Sequence, residues 1–484
     1  MKSKNKASLT IVQMNDTHAY FDIHQEIFWQ GDHAEYRQAG GYARIATLVK
    51  QIRTESQGNF LFCDCGDTLH GTFPAIDTQG KAMVPILNEL GLDAMAAHWE
   101  FAYGPTAFKK QVAELNYPML AINVFDKETK EPVFPLYVIK EMGGLRIGLV
   151  GIASNIVDKT MPPSYSEGIY FTLGNDELPP IINELRTKEK VDLIVLISHL
   201  GFTQDFKLLT EVQGIDVCLS GHTHNRTYKP TSIGKTILIQ SGCHGSFLGR
   251  LDLEIVDGQI ADYKHQLIEV EVSIQPDPIV DELVNQALAP YAKQLSEVVG
   301  ETATALNRGT SLETTMDNFL LQALLASVGT QLAFSNGWRY GAPIVPGNIT
   351  LNDLYNIIPM NPPVSTVEIS GEELREMLEE NLEMTFSCDP YQQMGGYVKR
   401  CLGLTVYFKI ENPAGQRIQQ IFVSDEEVQP NKYYTASFVT IQGVPQKFGR
   451  NRKNRPERAI EAMRTYLSKH LPVSSELRGT FVAV

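Results

Sequence analysis

The segment SLTIVQMNDTH, residues 8–18, decides the fold class of this 484-residue chain. Its first seven residues, with Leu, Ile and Val at the centre, are typical of a buried β-strand, and the polar sequence NDTH follows without a break. In an α/β fold the reactive site lies at the carboxyl ends of the strands, which is where such polar residues are found. The segment therefore predicts an α/β domain with a functional site beside Asp16 and His18.

Further apolar runs of strand length continue this pattern along the first half of the chain. They are residues 59–65, 117–124, 145–153, 191–198, 215–221 and 235–242. Amphipathic segments with helical periodicity, such as YARIATLVKQIRTE at 42–55, lie between several of them. This alternation predicts an α/β domain with a largely buried sheet over residues 1–275.

The second half of the chain has a different character. Residues 276–300 are helical and rich in mixed charges, which indicates a helical linker. Residues 301–484 contain one strongly helical segment, several strand-like segments and turn signals between them, which predicts an α+β domain. The basic run KFGRNRKNRPER at 447–458 is interpreted as a solvated loop before a helix at 456–469.

The composition of the chain limits its possible binding partners and its cellular compartment. A net charge of −14 argues against nucleic acid as the main partner, and no apolar run approaches the roughly 20 residues of a membrane span. The six cysteines lie mostly in apolar context, so we expect reduced, buried thiols. The N-terminus has a basic start but no apolar leader region, which favours a cytoplasmic protein; a periplasmic or extracellular protein already trimmed of its leader would look the same.

Metal-binding side chains follow four of the predicted strands. They are Asp16, His18, Asp67, His70, His199, His222 and His224. One such residue alone is more often a cap or a hydrogen-bonded side chain than a ligand, but four placements at corresponding strand ends favour a metal site. Two divalent cations about 3.5–4 Å apart need a bridging carboxylate with imidazole ligands, and they generate hydroxide near neutral pH. Asp67 is the natural bridging ligand.

In their order along the chain these motifs resemble a known family. The motifs are NDTH at 15–18, GDT at 66–68, His199 after a strand and GHTH at 221–224, and they resemble the calcineurin-like metallophosphoesterases, more narrowly the two-domain 5′-nucleotidases. The resemblance implies an N-terminal four-layer β-sandwich flanked by helices and a C-terminal α+β domain of the 5′-nucleotidase type. It also implies two divalent metal ions, Mn, Zn or Fe, with Mn favoured.

The resemblance further assigns ligands to the two ions. It implies that one ion is held by Asp16, His18, Asp67 and His224. The second ion would be held by Asp67, His199, His222 and one residue of the segment AAHWEFAYG at 96–104.

The segment AAHWEFAYG departs from the family pattern Gly-Asn-His-Glu-Phe-Asp. His98 stands where the family has its Asn ligand, Trp99 replaces the catalytic His, and Ala102 replaces its Asp partner. A His between Ala, Trp and Phe is often a packed core residue, but imidazole also binds Mn, Zn and Fe, and we expect His98 to be a ligand. Indole has no titratable proton, so Trp99 cannot act as a general acid, and His70 and His98 are the candidates to replace it.

The C-terminal domain carries the expected substrate contacts. The resemblance implies that the loop SNGWRYG at 335–341 binds substrate through Asn336, Trp338 and Arg339, with Arg339 contacting the anion in a catalytic role. The family holds the base between two aromatic rings. Phe438 keeps one ring position and Met360 occupies the other, where Trp338 or Tyr340 are possible replacements.

Three features are also similar to one branch of the family, the thiosulfohydrolase of bacterial sulfur oxidation. They are HWEF without the His-Asp dyad, GWRYGAPIVPG at 337–347 and DPYQQMGG at 389–396. The leading hypothesis is a binuclear hydrolase of phosphate monoesters, resembling 5′-nucleotidases and using a metal-bridging hydroxide on a small phosphoester or nucleotide. Two alternatives stay open: hydrolysis of an S-sulfonate substrate, with a sulfur-carrier protein as partner, and a metal- or nucleotide-binding homologue with little turnover.

Overall fold

The computed structural model describes residues 6–395 and 397–484. Residues 1–5, which include the basic start, and Gly396, the last residue of the DPYQQMGG segment, lie outside this description. The chain folds into two compact units. Unit 1 comprises Met1–His24 and Gln38–Pro290, and unit 2 comprises Gln25–Arg37 and Tyr291–Val484. None of the helices in the described part of the chain is long and apolar enough to cross a membrane.

Strands and helices alternate over the first 290 residues. The strands are β1 (Lys6–Met14), β2 (His24–Gln30), β3 (His33–Ala39), β4 (Phe60–Asp64), β5 (Ala94–Met95), β6 (Val124–Asp126), β7 (Tyr137–Met142), β8 (Leu145–Ile152), β9 (Ile169–Phe171), β10 (Leu193–Ser198), β11 (Val217–Ser220), β12 (Thr231–Ile233), β13 (Thr236–Ile239), β14 (Phe247–Val256) and β15 (Gln259–Glu269). The helices are α1 (Tyr42–Glu55), α2 (Phe73–Asp77), α3 (Val84–Leu90), α4 (Pro105–Glu114), α5 (Val157–Thr160), α6 (Leu178–Thr187), α7 (Phe202–Glu211) and α8 (Pro278–Leu288).

Two large sheets form the centre of unit 1. The first has the order β15-β14-β1-β4-β5, and its strands β1, β4 and β5 are parallel. The second has the order β12-β13-β11-β10-β8-β7, with the four inner strands parallel. Ile11 and Leu61 of the first sheet share one buried core with Val195 and Leu219 of the second. The two sheets therefore pack face to face.

Helices cover the outer faces of both sheets. Val49 of α1, Leu87 of α3 and Val284 of α8 pack in the core on the outer face of the first sheet. Leu185 of α6 and Leu208 of α7 pack in the core outside the second sheet. These layers confirm the predicted four-layer sandwich flanked by helices.

The prediction of a strand at residues 117–124 is wrong. Apart from Val124, which begins β6, the segment is irregular although it is largely buried. The Leu120 N–H donates to the Met95 carbonyl at 2.9 Å, and the Ile122 N–H donates to the Gly151 carbonyl at 2.9 Å. The segment passes between β5 of the first sheet and β8 of the second, and it is apolar although its pairing with β5 is limited to one isolated bridge between Met119 and Met95.

The C-terminal part of the chain is a mixed α+β domain, as predicted. Its helices are α9 (Ala292–Leu295), α10 (Thr315–Val328), α11 (Leu351–Ile357), α12 (Gly371–Phe386), α13 (Thr440–Gly443) and α14 (Ala459–Lys469). Its strands are β16 (Val298–Thr302), β17 (Leu332–Ser335), β18 (Gly347–Thr350), β19 (Pro363–Ser370), β20 (Arg400–Leu402), β21 (Leu404–Phe408), β22 (Ile418–Val423), β23 (Glu426–Glu427), β24 (Tyr433–Phe438), β25 (Arg450–Arg458) and β26 (Phe481–Ala483). The larger sheet has the order β20-β17-β24-β19-β25, and a second has the order β23-β22-β21-β26.

The basic run at 447–458 is a strand rather than the predicted loop. Arg450–Arg458 forms β25, the last strand of the larger sheet, and helix α14 begins directly after it at Ala459. Most of its side chains are exposed, and the Arg450 guanidinium lies 3.6 Å from the centre of the Tyr433 ring. Charged side chains suit an edge strand because they oppose further strand pairing.

Candidate active site

The predicted ligands lie at the carboxyl ends of five neighbouring strands of unit 1. Asp16 and His18 follow β1, Asp67 follows β4, and His98 follows β5 in the first sheet. In the second sheet His199 follows β10, while His222 and His224 follow β11. Because the strands are parallel, their polar ends meet at one edge of the sandwich.

The structure brings these seven side chains together in two groups. The first group is Asp67, His98, His199 and His222, and the second is Asp16, His18 and His224; within each group the ligand atoms lie within 4.8 Å of one another. In the first group, Asp67 Oδ2 lies 3.2 Å from His98 Nδ1 and 3.3 Å from His199 Nε2. In the second, His224 Nε2 lies 3.3 Å from Asp16 Oδ1 and 3.2 Å from His18 Nε2.

The two groups adjoin through their carboxylates. Asp67 Oδ2 lies 3.9 Å from His18 Nε2, in the other group, and Asp16 Oδ1 lies 3.7 Å from His199 Nε2. Both carboxylates therefore lie between the two groups, and the bridging role predicted for Asp67 stays a prediction.

The donor atoms fit divalent cations. His98 Nε2 is buried and has no hydrogen-bond partner. A buried unpartnered nitrogen costs about 1–3 kcal/mol, which a bound cation would remove. Carboxylate and imidazole groups are ligands for Mn, Zn and Fe. The described residues thus form two adjoining sites of suitable chemistry.

The backbone of this site is strained at the ligands. Five of the seven predicted ligands have a left-handed backbone conformation: Asp16 (φ 52°), His18 (φ 49°), Asp67 (φ 58°), His222 (φ 71°) and His224 (φ 58°). Such conformations cost of the order of 1–3 kcal/mol each in non-glycine residues and are concentrated at functional sites. The fold therefore tolerates a local loss of stability that orients these side chains.

The charges of the two groups influence one another. Burial by itself would raise the pKa of Asp67, but His98 and His199 hold that pKa well below its usual range. Burial would likewise lower the pKa of His199, yet Asp67 and Asp16 raise it to about 10. The pKa of His18 is lowered to about 3, chiefly by burial. Since a metal binds the unprotonated imidazole, loading a cation at His199 releases a proton.

Glu100 organises the loop that carries Asp67. Its carboxylate is fully buried and accepts hydrogen bonds from the backbone N–H groups of Thr68 (2.6 Å), Leu69 (3.2 Å) and His98 (2.7 Å). Asp67 Oδ1 in turn accepts the Trp99 backbone N–H at 2.7 Å. The sequence analysis missed this role, although an acidic residue inside the apolar segment AAHWEFAYG was a usable signal.

The predicted substrate loop of unit 2 is largely buried and only partly hydrogen-bonded. Asn336 Nδ2 donates to Gln442 Oε1 at 3.2 Å, whereas Asn336 Oδ1 and Trp338 Nε1 are buried without a hydrogen-bond partner. The Arg339 guanidinium lies 5.2 Å from the centre of the Tyr397 ring. The loop therefore presents unused polar atoms of the kind that a polar ligand would pair with.

The two positions at which the family holds the base between rings differ in solvent exposure. Phe438 is 2% exposed and belongs to the hydrophobic core of unit 2, with the Arg452 guanidinium 4.7 Å from its centre. Met360 is 39% exposed. A base would stack on Phe438 only after that ring was uncovered, so the aromatic contact predicted there has little free surface.

Two buried cations beside this loop were missed by the sequence analysis. Arg400 lies opposite Ser335 in the pairing of β17 with β20, and its Nε forms an ion pair with Asp317 at 3.2 Å. Lys399 is 5% exposed, and its Nζ donates to the Gln442 carbonyl at 2.6 Å. Burial lowers the pKa of Lys399 to about 8. Neither residue lies in a motif, so only the fold reveals them.

Two family descriptions match this chain. Residues 9–226 match the calcineurin-like phosphoesterases, and residues 296–440 match the 5′-nucleotidase C-terminal domain. The chain therefore contains a calcineurin-like phosphoesterase domain. Members of this family hydrolyse phosphate monoesters with two divalent metal ions, and this phosphoesterase has the two His/Asp groups able to hold them.

Known relatives share both domains. A 5′-nucleotidase of Vibrio cholerae is 25% identical over 80% of this chain and 78% of its own length. A trifunctional nucleotide phosphoesterase of Bacillus subtilis is 25% identical over 85% of this chain, which spans only 30% of that protein. The solved structure of a sulfate thiohydrolase from Thermus thermophilus is 25% identical, with a TM-score of 0.92 over 98% of this chain and 96% of that one.

The phosphoesterase lacks the proton-transfer dyad at its expected place. The ring of Trp99 stacks on His70, with centroids 5.0 Å apart and planes at 23°. His70 is fully buried, neither ring nitrogen has a hydrogen-bond partner, and burial lowers its pKa to about 4. A neutral imidazole holds no extra proton at pH 7, so the predicted acid role of His70 requires that substrate raise this pKa.

Proposed function

We propose that this phosphoesterase is a binuclear, manganese-preferring hydrolase that acts on nucleotides or closely related phosphate monoesters. The observation that carries the proposal is the meeting of seven predicted ligands in two adjoining, buried groups around Asp67. The Vibrio cholerae relative, which aligns over both domains, is a 5′-nucleotidase and supports the nucleotide substrate.

The side chains of unit 1 have distinct roles in holding the two cations. Asp67, His98, His199 and His222 would hold one cation, and Asp16, His18 and His224 would hold the other, with Asp67 placed to be shared between them. Bound divalent cations supply Lewis-acid stabilisation of the phosphoryl oxygens and acidify water. Glu100 keeps Asp67 and His98 in position through the backbone of both loops.

Unit 2 supplies groups suited to an anionic, polar ligand. Arg339 and Lys399 provide positive charge, and Asn336 Oδ1 and Trp338 Nε1 offer one unused acceptor and one unused donor. Nucleotides carry phosphate oxygens together with ribose and base groups that both donate and accept hydrogen bonds. This combination favours a nucleotide over a simple alkyl phosphate.

A specific observation favours a second candidate, hydrolysis of an S-sulfonate on a small molecule or a sulfur-carrier protein. Trp99 and Ala102 replace the titratable dyad of the family pattern, and a thiolate leaves without protonation more readily than an alkoxide does. The likeness to the sulfate thiohydrolase of Thermus thermophilus points the same way.

A substrate panel with the Mn²⁺-loaded protein tests the proposal. AMP, p-nitrophenyl phosphate and S-sulfocysteine are compared by release of phosphate or sulfate. We expect the highest kcat/KM with AMP and a kcat at least about 10³-fold lower in the Asp67→Asn variant. Sulfate release faster than phosphate release would favour the second candidate, and metal binding without turnover of any of the three would contradict both.

A further inference from the structure

The loop at 221–225, here named the ligand loop, carries one ligand for each of the two cation groups. His222 belongs to the group that contains Asp67, and His224 belongs to the other group. Both histidines have a left-handed backbone conformation, with φ of 71° and 58°. Because this conformation is unfavourable for a residue other than glycine, the ligand loop needs contacts that hold it in place.

Gln240 lies beside the ligand loop because of the order of strands in the second sheet. Strand β13 pairs in parallel with β11, with Ile239 opposite Leu219, so Gln240 follows β13 at the level where Ser220 ends β11. The Gln240 side chain is fully buried. A buried amide is costly unless its hydrogen bonds are made, so the position requires partners for the whole group.

The side-chain amide of Gln240 makes four hydrogen bonds, which is all that an amide of this kind can make. Nε2 donates two of them and Oε1 accepts the other two; the partners are Ser220 Oγ at 3.1 Å, the Gly221 carbonyl, the Thr223 hydroxyl at 3.0 Å and the Asn225 N–H. These partners lie before, between and after His222 and His224. One side chain therefore holds the loop segment that contains both ligands.

The ligand loop also connects the two cation groups directly. The His222 N–H donates to Asp16 Oδ2 at 2.8 Å, and Asp16 belongs to the same group as His224. A movement of the loop therefore displaces ligands in both groups at once. An ion bound in either group would restrict this movement, and the loop would then be ordered for the other ion.

We propose that Gln240 is a positioning residue that holds the ligand loop in its metal-binding conformation before either cation binds. The proposal rests on the two-cation centre of the proposed function. With Gln240 in place, the first cation meets His222 and His224 already oriented. Without Gln240, the first cation would have to order the loop and the second would find it ordered, so binding of the two ions would become more cooperative.

Stepwise titration with Mn²⁺, followed by electron paramagnetic resonance, tests the proposal on the wild type and on Gln240→Met. Methionine keeps the length of the side chain and removes its hydrogen bonds to the loop. We expect the affinity for the first Mn²⁺ to fall about 10- to 100-fold, the size of effect found for groups that support metal ligands, and the affinity for the second to fall less. At one bound Mn²⁺ per chain, the share of exchange-coupled ion pairs should therefore exceed that of the wild type.

Gln240→Glu is the conservative variant. It keeps an oxygen for Thr223 and Asn225 but has no N–H to donate to the Gly221 carbonyl. Its first Mn²⁺ affinity should therefore lie between those of the wild type and Gln240→Met. Circular dichroism checks that each variant is folded, and Gln240→Glu provides the comparison if Gln240→Met does not fold.

Asn88→Ala is the matched control for a general loss of stability in unit 1. The Asn88 amide also bridges backbone groups, since it donates to the Glu114 carbonyl at 2.9 Å and accepts the Asn116 N–H at 2.7 Å. Neither partner belongs to a segment that carries a predicted ligand, so both Mn²⁺ affinities should equal those of the wild type.

The ratio of the two Mn²⁺ affinities decides the outcome. A ratio that is the same in the wild type and in the folded Gln240 variants would overturn the positioning role. The same shift in Asn88→Ala would also overturn it, because the shift would then follow from lost stability. If the wild type bound fewer than two Mn²⁺ ions, the two-cation centre itself would be wrong, so the two failures are distinguishable.

Discussion

The two polar clusters of this protein are built in opposite ways. The metal-ligand cluster of unit 1 consists of charged and imidazole groups that face one another at 3–4 Å on a strained backbone. The loop cluster of unit 2 consists of neutral groups buried without partners, Ser335 Oγ, Asn336 Oδ1, Trp338 Nε1 and Thr440 Oγ1. The first is arranged around ions, and the second has the unmet hydrogen bonds of a site for a polar ligand.

This difference explains why the two clusters differ in how readily sequence reveals them. Each metal ligand follows one of five strands within a few residues, so a local motif contains both its position and its chemistry. The loop cluster brings together Ser335 at the end of β17 and Thr440 just after β24, two paired strands that are far apart in sequence. Removing single groups from each cluster therefore gives different expected results.

The largest effect is expected for Asp67→Asn. The amide keeps the size of the side chain but removes the charge shared by both metal-ligand groups. Without the cations the attacking water would not be acidified, and we expect kcat to fall by about 10³-fold or more. Elemental analysis of the dialysed variant should show less than one metal per chain. If the variant bound two metals and kept its kcat, Asp67 would not be the bridging ligand.

Glu100→Gln should produce a smaller loss of the same kind. The amide group of Gln would face backbone N–H donors that now bind a carboxylate, so the loops that carry Asp67 and His98 would shift. Groups that support metal ligands typically contribute 10- to 100-fold in metal affinity, and we expect a loss in this range by competition with a chelator. Glu114→Gln, on the exposed end of α4, is the matched control and should change nothing. Unaltered metal affinity in Glu100→Gln would reduce Glu100 to a packing role.

In unit 2, Lys399→Met should raise KM for an anionic substrate and leave metal content unchanged. Loss of one charge-assisted hydrogen bond corresponds to roughly a tenfold rise or more in KM. The wild type should also lose affinity as the pH passes about 8, because the pKa of Lys399 is lowered by burial and the amine is neutral above that value. Lys399→Arg keeps its charge and should give a flat KM profile between pH 7 and 9. If the KM of the wild type did not change over this pH range, Lys399 would not bind the substrate.

The sequence predicted most of the N-terminal fold because its strands are short apolar runs that end in polar motifs. It failed at 117–124, where a buried chain segment crosses between two sheets and is as apolar as a strand. It also failed at β25, where edge position allows a strand of mostly charged residues. In both cases the environment of the segment, rather than its composition, decides the structure.

For the site, the sequence predicted the ligand positions but not the groups that hold them. Glu100 acts on residues more than thirty positions away, and its function depends on the path of the backbone. The burial of Phe438 is likewise a property of the packed domain, since an aromatic residue in a strand has the same sequence signature whether it stacks on a ligand or fills the core. A local motif identifies reactive side chains, but the tertiary contacts determine which of their atoms remain available to a ligand or a metal ion.

The smallest expected effect tests the unpartnered character of the loop cluster directly. Ser335 and Ser198 are both fully buried, but Ser335 Oγ has no partner and Ser198 Oγ donates to Asp205 at 2.6 Å. Ser198→Ala should therefore lower the free energy of unfolding by about 1 kcal/mol, and Ser335→Ala should leave it unchanged or raise it by a similar amount. Urea denaturation of the two variants measures the difference. If Ser335→Ala lost as much free energy of unfolding as Ser198→Ala, the Ser335 hydroxyl would already have a partner. The contrast between the two clusters would then rest on Asn336, Trp338 and Thr440.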